Sequence, residues 1–209
     1  MALRDVKPTR SELISLKRRI ALSERGYKLL KMKRDGLILE FFKILGQAKN
    51  TRSELDTRYE KAVERMAVAN TIEGAIGVKS AAFSVNEVPN IELTSKNIMG
   101  VVVPEIKASK VKKGIMDRGY GVLGTTSIID DTASSFEDLV DAIIKSAEIE
   151  TTMKKLLEEI ESTKRRVNAL EYKVIPELTE ARDFIKMRLD EMEREELFRL
   201  KKIKARTSV

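Results

Sequence analysis

Apolar side chains recur every seven residues along most of this chain. From Leu13 onward the series reads Leu13, Ile20, Tyr27, Arg34, Phe41, Ala48, Leu55, Ala62, Ala69 and Ile76, and only Arg34 interrupts it. Companions three or four residues on are Leu16, Leu30, Leu37, Ile38, Leu45, Tyr59 and Met66. A second series reads Met153, Ile160, Val167, Val174 and Ala181, flanked by Leu156, Leu170, Leu178, Ile185 and Met192. Two repeats this long predict two coiled-coil helices. Thr9 followed three residues later by Glu12 reads as a capping box after Pro8, so the first helix runs from about Thr9 to about Ile76. At 1.5 Å per residue that is about 100 Å. Near Arg34 the stripe steps 3-4-4-3, a stutter that locally unwinds a supercoil. Gly26, Gly36 and Gly46 interrupt the helix at ~1 kcal/mol each relative to alanine. They either admit a close neighbour or are simply tolerated.

Between residues 77 and 124 the periodicity stops, and six of the ten glycines and two of the four prolines fall there. Ile91-Glu92-Leu93-Thr94 alternates at period two, and Val101-Val102-Val103 is β-branched. A β-hairpin of Ile91–Ser95 with Val101–Ile106 follows, turning through Asn97–Gly100. The basic stretch Lys107–Tyr120 reads as mobile. No glycine occurs after Gly124, so the second helix starts at Thr125–Ser127, with Ser134 as the alternative start, and reaches about Lys204. Pro176 lies deep inside it, and its missing N–H and crowding of the Tyr172 carbonyl predict a bend over 172–176. The expected fold is dominated by α-helix. It is a long antiparallel two-helix coiled coil with an N-terminal helix over 1–76, a β-hairpin and connector over 77–124, and a C-terminal helix over 125–209.

Charged residues make up 35% of the chain and aromatics 5%, which suits a thin seam under a large solvated surface. With no cysteine there is no disulfide or thiolate site, and with no histidine the commonest general base and zinc ligand are missing. No apolar run approaches the ~18 residues of a membrane span, and residues 1–10 lack a signal-peptide core. The net charge of +7 is uneven: residues 1–34 carry +8, residues 197–209 carry +5, and the remainder is −6. Antiparallel helices bring both basic termini to one end, which suggests an acidic partner there. The plain alternative is a set of solvated lysines and arginines on helix faces.

The chemistry-bearing motifs are weak. There is no P-loop, and Gly119-Tyr120-Gly121-Val122-Leu123-Gly124 matches Gly-x-Gly-x-x-Gly without the βαβ context that dinucleotide binding needs. No carboxylate pair sits in an evident pocket, and a core this thin leaves no room for a deep one. The reading is therefore no catalytic residue, no cofactor and no metal. The densest mixed motif runs from Thr163 to Glu171. Val167 and Leu170 there belong to the seam, while Arg165, Arg166, Asn168 and Glu171 point away from it or flank it, as partner contacts or as a salt-bridged helix surface.

Four motifs in order carry a family resemblance: Val6-Lys7-Pro8-Thr9-Arg10, Asn97-Ile98-Met99-Gly100-Val101, Arg165-Arg166-Val167-Asn168-Ala169-Leu170-Glu171 with Ile175-Pro176, and Glu193-Arg194-Glu195-Glu196-Leu197-Phe198-Arg199-Leu200-Lys201. Together they resemble the D subunit, the central-stalk component of archaeal/vacuolar-type rotary ATPases. The resemblance implies a non-catalytic rotor shaft on the cytoplasmic side, peripheral to the membrane. Its two helix ends would enter a hexamer of A and B subunits, and its other end would bind the F subunit and sit on the C subunit. Carried onto this sequence, residues of about 1–30 and 185–209 would lie in the hexamer cavity, with Arg10, Lys17, Arg18, Arg199, Lys201 and Lys202 against acidic loops. The hairpin would lie towards the F subunit, and no nucleic acid would be bound. Two other readings compete. A prefoldin-type chaperone also joins two helices through β-hairpins, but needs apolar tips. A basic coiled-coil nucleic-acid binder is permitted by the charge, but lacks a stacking platform.

Overall fold

The computed structural model describes residues 7–85, 91–108, 111–114, 118–121 and 125–207. Val6, Pro89 and the Val122–Gly124 end of the glycine motif lie outside the described residues. Helix α1 spans Arg10–Ile72, α2 Gly74–Phe83, strands β1 and β2 Ile91–Ile98 and Val101–Ala108, α3 Ser127–Ala169, and α4 Ile175–Thr207. A single π-helical turn, Leu170–Val174, joins α3 to α4. Helix dominates and one small hairpin interrupts it, as the periodicity predicts.

The Thr9 cap forms, its hydroxyl accepting from the Glu12 N–H at 3.2 Å, while the Thr9 N–H donates to the Lys7 carbonyl. Helix α1 stops four residues short of Ile76. Gly74 adopts φ +77°, a conformation that favours glycine, and restarts the chain as α2. Ile76 is therefore 87% exposed and leaves the seam, as does Tyr59 at 56%.

The chain divides into two compact units. In the unit built from 37–159, α1 and α3 run antiparallel: Arg52 pairs with Glu150, while Arg58 and Arg65 donate to the carbonyls of Asp138 and Asp131. Those two arginines and the two carbonyls are each seven residues apart, so one heptad step is stapled twice. The seam here is made of small residues, with Ala62, Ala69, Ala142, Thr132, Ser135, Ser146 and Thr152 buried beside Leu37, Leu139 and Leu156. Burying a hydroxyl costs free energy unless it is bonded. Thr132 and Ser135 donate to carbonyls four residues back, Ile128 and Asp131. Gly46 has no atom near the place of a Cβ, so no close neighbour requires it, and the same holds for Gly26 in the other unit.

The hairpin in this unit is longer than the alternation suggests. All eight residues of each strand pair, with Ile98 opposite Val101. The turn shrinks to Met99-Gly100, both at positive φ, which is the turn geometry that matches strand twist. The Gly100 N–H donates to Asn97 Oδ1 at 2.8 Å and helps hold the unusual Met99 backbone. Counting from the closing pair, Ser95–Pro104 is a non-hydrogen-bonded pair, so the proline costs no ladder bond.

In the unit built from 1–36 and 160–209, Arg10 of α1 pairs with Glu193 of α4 at 2.7 Å, again antiparallel. Leu16, Ile20, Thr163, Val167 and Ile185 are buried in it. Burial of an aliphatic side chain contributes about 1.5–3 kcal/mol.

Candidate functional site

The end of α4 is the most exposed helical segment of the chain. Every described residue from 191 to 207 is exposed. Fourteen positions separate the Arg10–Glu193 pair from Thr207, so α4 projects about 21 Å past the start of α1. The projection carries Leu197, Phe198, Leu200 and Ile203, exposed by 59–71%, among Arg199, Lys201 and Lys202. Arg199 lies 3.6 Å from Glu195, and the Lys201 ammonium sits 6.0 Å over the Phe198 ring. The basic residues in the last turns also complement the helix dipole. A surface that is both apolar and cationic, with only exposed and weak internal pairs, is suited to being covered by another protein.

The structure strings the six predicted cations out rather than clustering them. Arg10 sits at the Glu193 pair, Lys17 and Arg18 lie on α1 on one side of it, and Arg199, Lys201 and Lys202 lie on α4 on the other. Arg18 borders a shallow groove with Ser11, Ile14, Ser15, Arg19 and Leu22. The span of the band is about 25 Å along the helix axis. The exposed apolar residues of α4 are easily missed beside the charges, although Leu197, Leu200 and Ile203 at spacings of three show an apolar edge.

Arg165, Arg166, Asn168 and Glu171 are exposed while Thr163 and Val167 beside them are buried, and Arg165 makes a long 3.8 Å pair with Glu161. Pro176 is exposed and second in α4. The π turn before it is where the backbone adapts: the Ile175 N–H donates to the Leu170 carbonyl, five residues back. Two features of the sequence coincide with it: Pro176, which has no N–H for the Tyr172 carbonyl, and an eight-residue step from Leu170 to Leu178 beside a Val167–Val174–Ala181 series that keeps the heptad, so a π turn here holds the Leu170–Leu178–Ile185 flank in register.

The connector from α2 to α3 corrects two expectations. Arg118 and Tyr120 are not on a mobile stretch but buried, at 7% and 9% exposure. The Arg118 guanidinium grips Glu137 with two bonds, Nε to Oε1 at 3.0 Å and Nη2 to Oε2 at 3.1 Å. Its Nη1 donates to the carbonyl and the carboxylate of Asp130, and the Tyr120 hydroxyl donates to the same carboxylate at 2.7 Å. Burial opposes the charge on Arg118, but the bonds to Glu137 and Tyr120 hold its pKa above the ordinary value. Burial and the bond to Asp130 push the Tyr120 phenol up. Beside this cluster lies an apolar cavity of about 430 Å³, lined in part by Met66, Val78, Ala81, Phe136 and Val140, where no deep pocket is expected from the sequence. Among the described residues no group of three acidic side chains is placed to hold a metal ion, and no helix is long and apolar enough to cross a membrane.

Paired helices, a small hairpin insertion and an exposed basic helix end define a helix-dominated coiled-coil protein. A family model of the ATP synthase D subunit matches residues 12–205. The D subunit of the A-type ATP synthase of Methanoregula boonei is 80% identical over 208 residues, covering 100% of both chains. Those of Methanococcoides burtonii and Haloarcula marismortui are 65% and 53% identical, covering 98% and 97% of this chain and 99% and 88% of their own. The chain belongs to the family of ATP synthase D subunits, and so is an accessory component of an enzyme complex.

Proposed function

We propose that the chain is the central rotor shaft of an archaeal-type ATP synthase. It turns within a hexamer of A and B subunits and is carried, through the F and C subunits, on the ion-translocating ring of the membrane. ATP is made or cleaved on the hexamer, and this chain transmits torque from the cytoplasmic face without a cofactor or catalytic group of its own. The observation that carries this reading is the projecting end of α4, whose Leu197, Phe198, Leu200 and Ile203 stand exposed among Arg199, Lys201 and Lys202. An apolar sleeve with acidic loops is the complement of such an end. The cations, Arg10, Lys17 and Arg18 included, make contacts that break at each step. Exposed ion pairs worth ~0–1 kcal/mol each suit that purpose.

Arg165, Arg166, Asn168 and Glu171 offer a polar face to a stalk or hexamer partner. The segment around Pro176 bends the shaft off-axis so that hexamer closure becomes rotation. Small-angle scattering tests the bend: Pro176→Ala straightens the particle, and an unchanged profile counts against it. For the shaft role itself, charge reversal of Arg199, Lys201 and Lys202 together lowers ATP-driven torque in a reconstituted A/B hexamer; unchanged torque contradicts the assignment of those residues.

A further inference from the structure

We propose that α2 is a hinged flap latched over the apolar cavity, with the Arg118–Glu137–Asp130–Tyr120 cluster as its latch. Three observations meet here. The hinge is Gly74, at φ +77° with open space around it, so the backbone can swing there without a side chain in the way. The flap itself is poorly anchored by packing. Ala81 is its only buried residue, Ile76 and Phe83 are 87% and 85% exposed, and the cavity beneath is lined by its Val78, Ala81 and Ala82. A ten-residue helix that buries one alanine is held only weakly by the hydrophobic effect.

What holds it is the strap Arg118-Gly119-Tyr120. Tyr120 packs on Ala81 and Ile129, joining the flap to α3. Gly119, at φ +84°, lies so close to the end of α2 that an added Cβ would stand 2.4 Å from the Ser84 carbonyl oxygen. Arg118 then fixes the strap to α3 through Glu137 and Asp130. Near the hinge, Thr126 donates to the Glu73 carboxylate. Polar contacts at both ends therefore close a flap whose middle is loose. A buried ion pair of this kind defines one arrangement more than it adds stability, and breaking it from one side is costly because the remaining charges are left unpaired. The inference does not depend on the shaft reading.

Amide hydrogen exchange on the full-length chain tests it. Arg118→Met removes the latch and Glu137→Gln weakens it. The expected result is exchange in residues 75–83 faster by about 100-fold for Arg118→Met and about 10-fold for Glu137→Gln, from local opening alone. Residues 40–60 of α1, in the same compact unit as the flap, serve as the internal control, and their protection stays unchanged. The Arg118→Met chain also binds more of a fluorescent apolar dye. Unchanged exchange in 75–83 overturns the proposal. Equal acceleration in 75–83 and 40–60 overturns it too, because the cluster would then belong to the core of the whole unit.

Discussion

Removing or adding one residue at the π turn has opposite consequences for the seam. Without Tyr172, which is 75% exposed, Leu170 and Leu178 become seven apart and the flank of Leu170, Leu178 and Ile185 continues on an α-helix, while Val167 and Val174 draw in to six apart. Leu178 and the fully buried Ile185 keep their places. The deletion therefore leaves stability within about 1 kcal/mol, since it trades a π turn for an α turn and removes no core side chain. Inserting an alanine after Tyr172 instead rotates everything beyond it by about 100°. Ile185 and Leu178 then turn out of the seam, at a cost of about 3–5 kcal/mol from two aliphatic side chains. For a chain of this size 1 kcal/mol moves Tm by about 2–4 °C. Thermal unfolding followed by circular dichroism should show the deletion within about 4 °C of the parent and the insertion lower by about 6–20 °C. A deletion as damaging as the insertion would refute the claim that the turn exists to keep the seam in register.

Gly119→Ala should cost at least about 2 kcal/mol, because it combines a left-handed backbone with a close approach to the Ser84 carbonyl; chemical denaturation indistinguishable from the parent would contradict that contact. The Asp138 pKa is lowered from its ordinary 3.8, first by its hydrogen bond to Lys112, with the Lys112, Arg58 and Lys61 charges acting the same way and burial acting against them. A lowered carboxylate contributes stability that is present above pH 3.8 and is lost as pH falls through the folded value. Asp138→Asn should accordingly flatten the acid limb of the stability–pH curve below about pH 4, and an unaltered limb would show that the pair does not act in solution.

How much of the fold was legible in the sequence depended on whether the signal was periodic. Ile20, Ala62, Ala69, Leu156, Val167 and Ile185 lie on the predicted stripe and are buried, because a heptad pattern encodes one face directly. Ile76 also fits the pattern, but Gly74 redirects the chain two residues earlier and periodicity alone does not register a break. Helix α2 was illegible for a related reason: Gly74-Ala75-Ile76-Gly77-Val78 has no polar face to set a period. The hairpin was legible in kind, but its turn is narrower than expected, since Met99 is a poor guide to positive φ. The eight-residue step from Leu170 to Leu178 is present in the stripe, but Pro176 offers a more obvious cause for a bend and masks it. The Arg118 cluster could not be read at all. Its partners lie 12 and 19 residues away on helix α3, and only the folded chain brings them to Arg118.

The role proposed for the cations and apolar residues of the α4 end is played in an assembly, so the assembly supplies the decisive measurement. A bead is fixed to this chain, the chain is mixed with purified A and B subunits with and without the F subunit, and ATP is added. The shaft account predicts sustained rotation in one direction. A hexamer that hydrolyses ATP with the chain bound and the bead still, or a chain that fails to enter a competent hexamer, would contradict it.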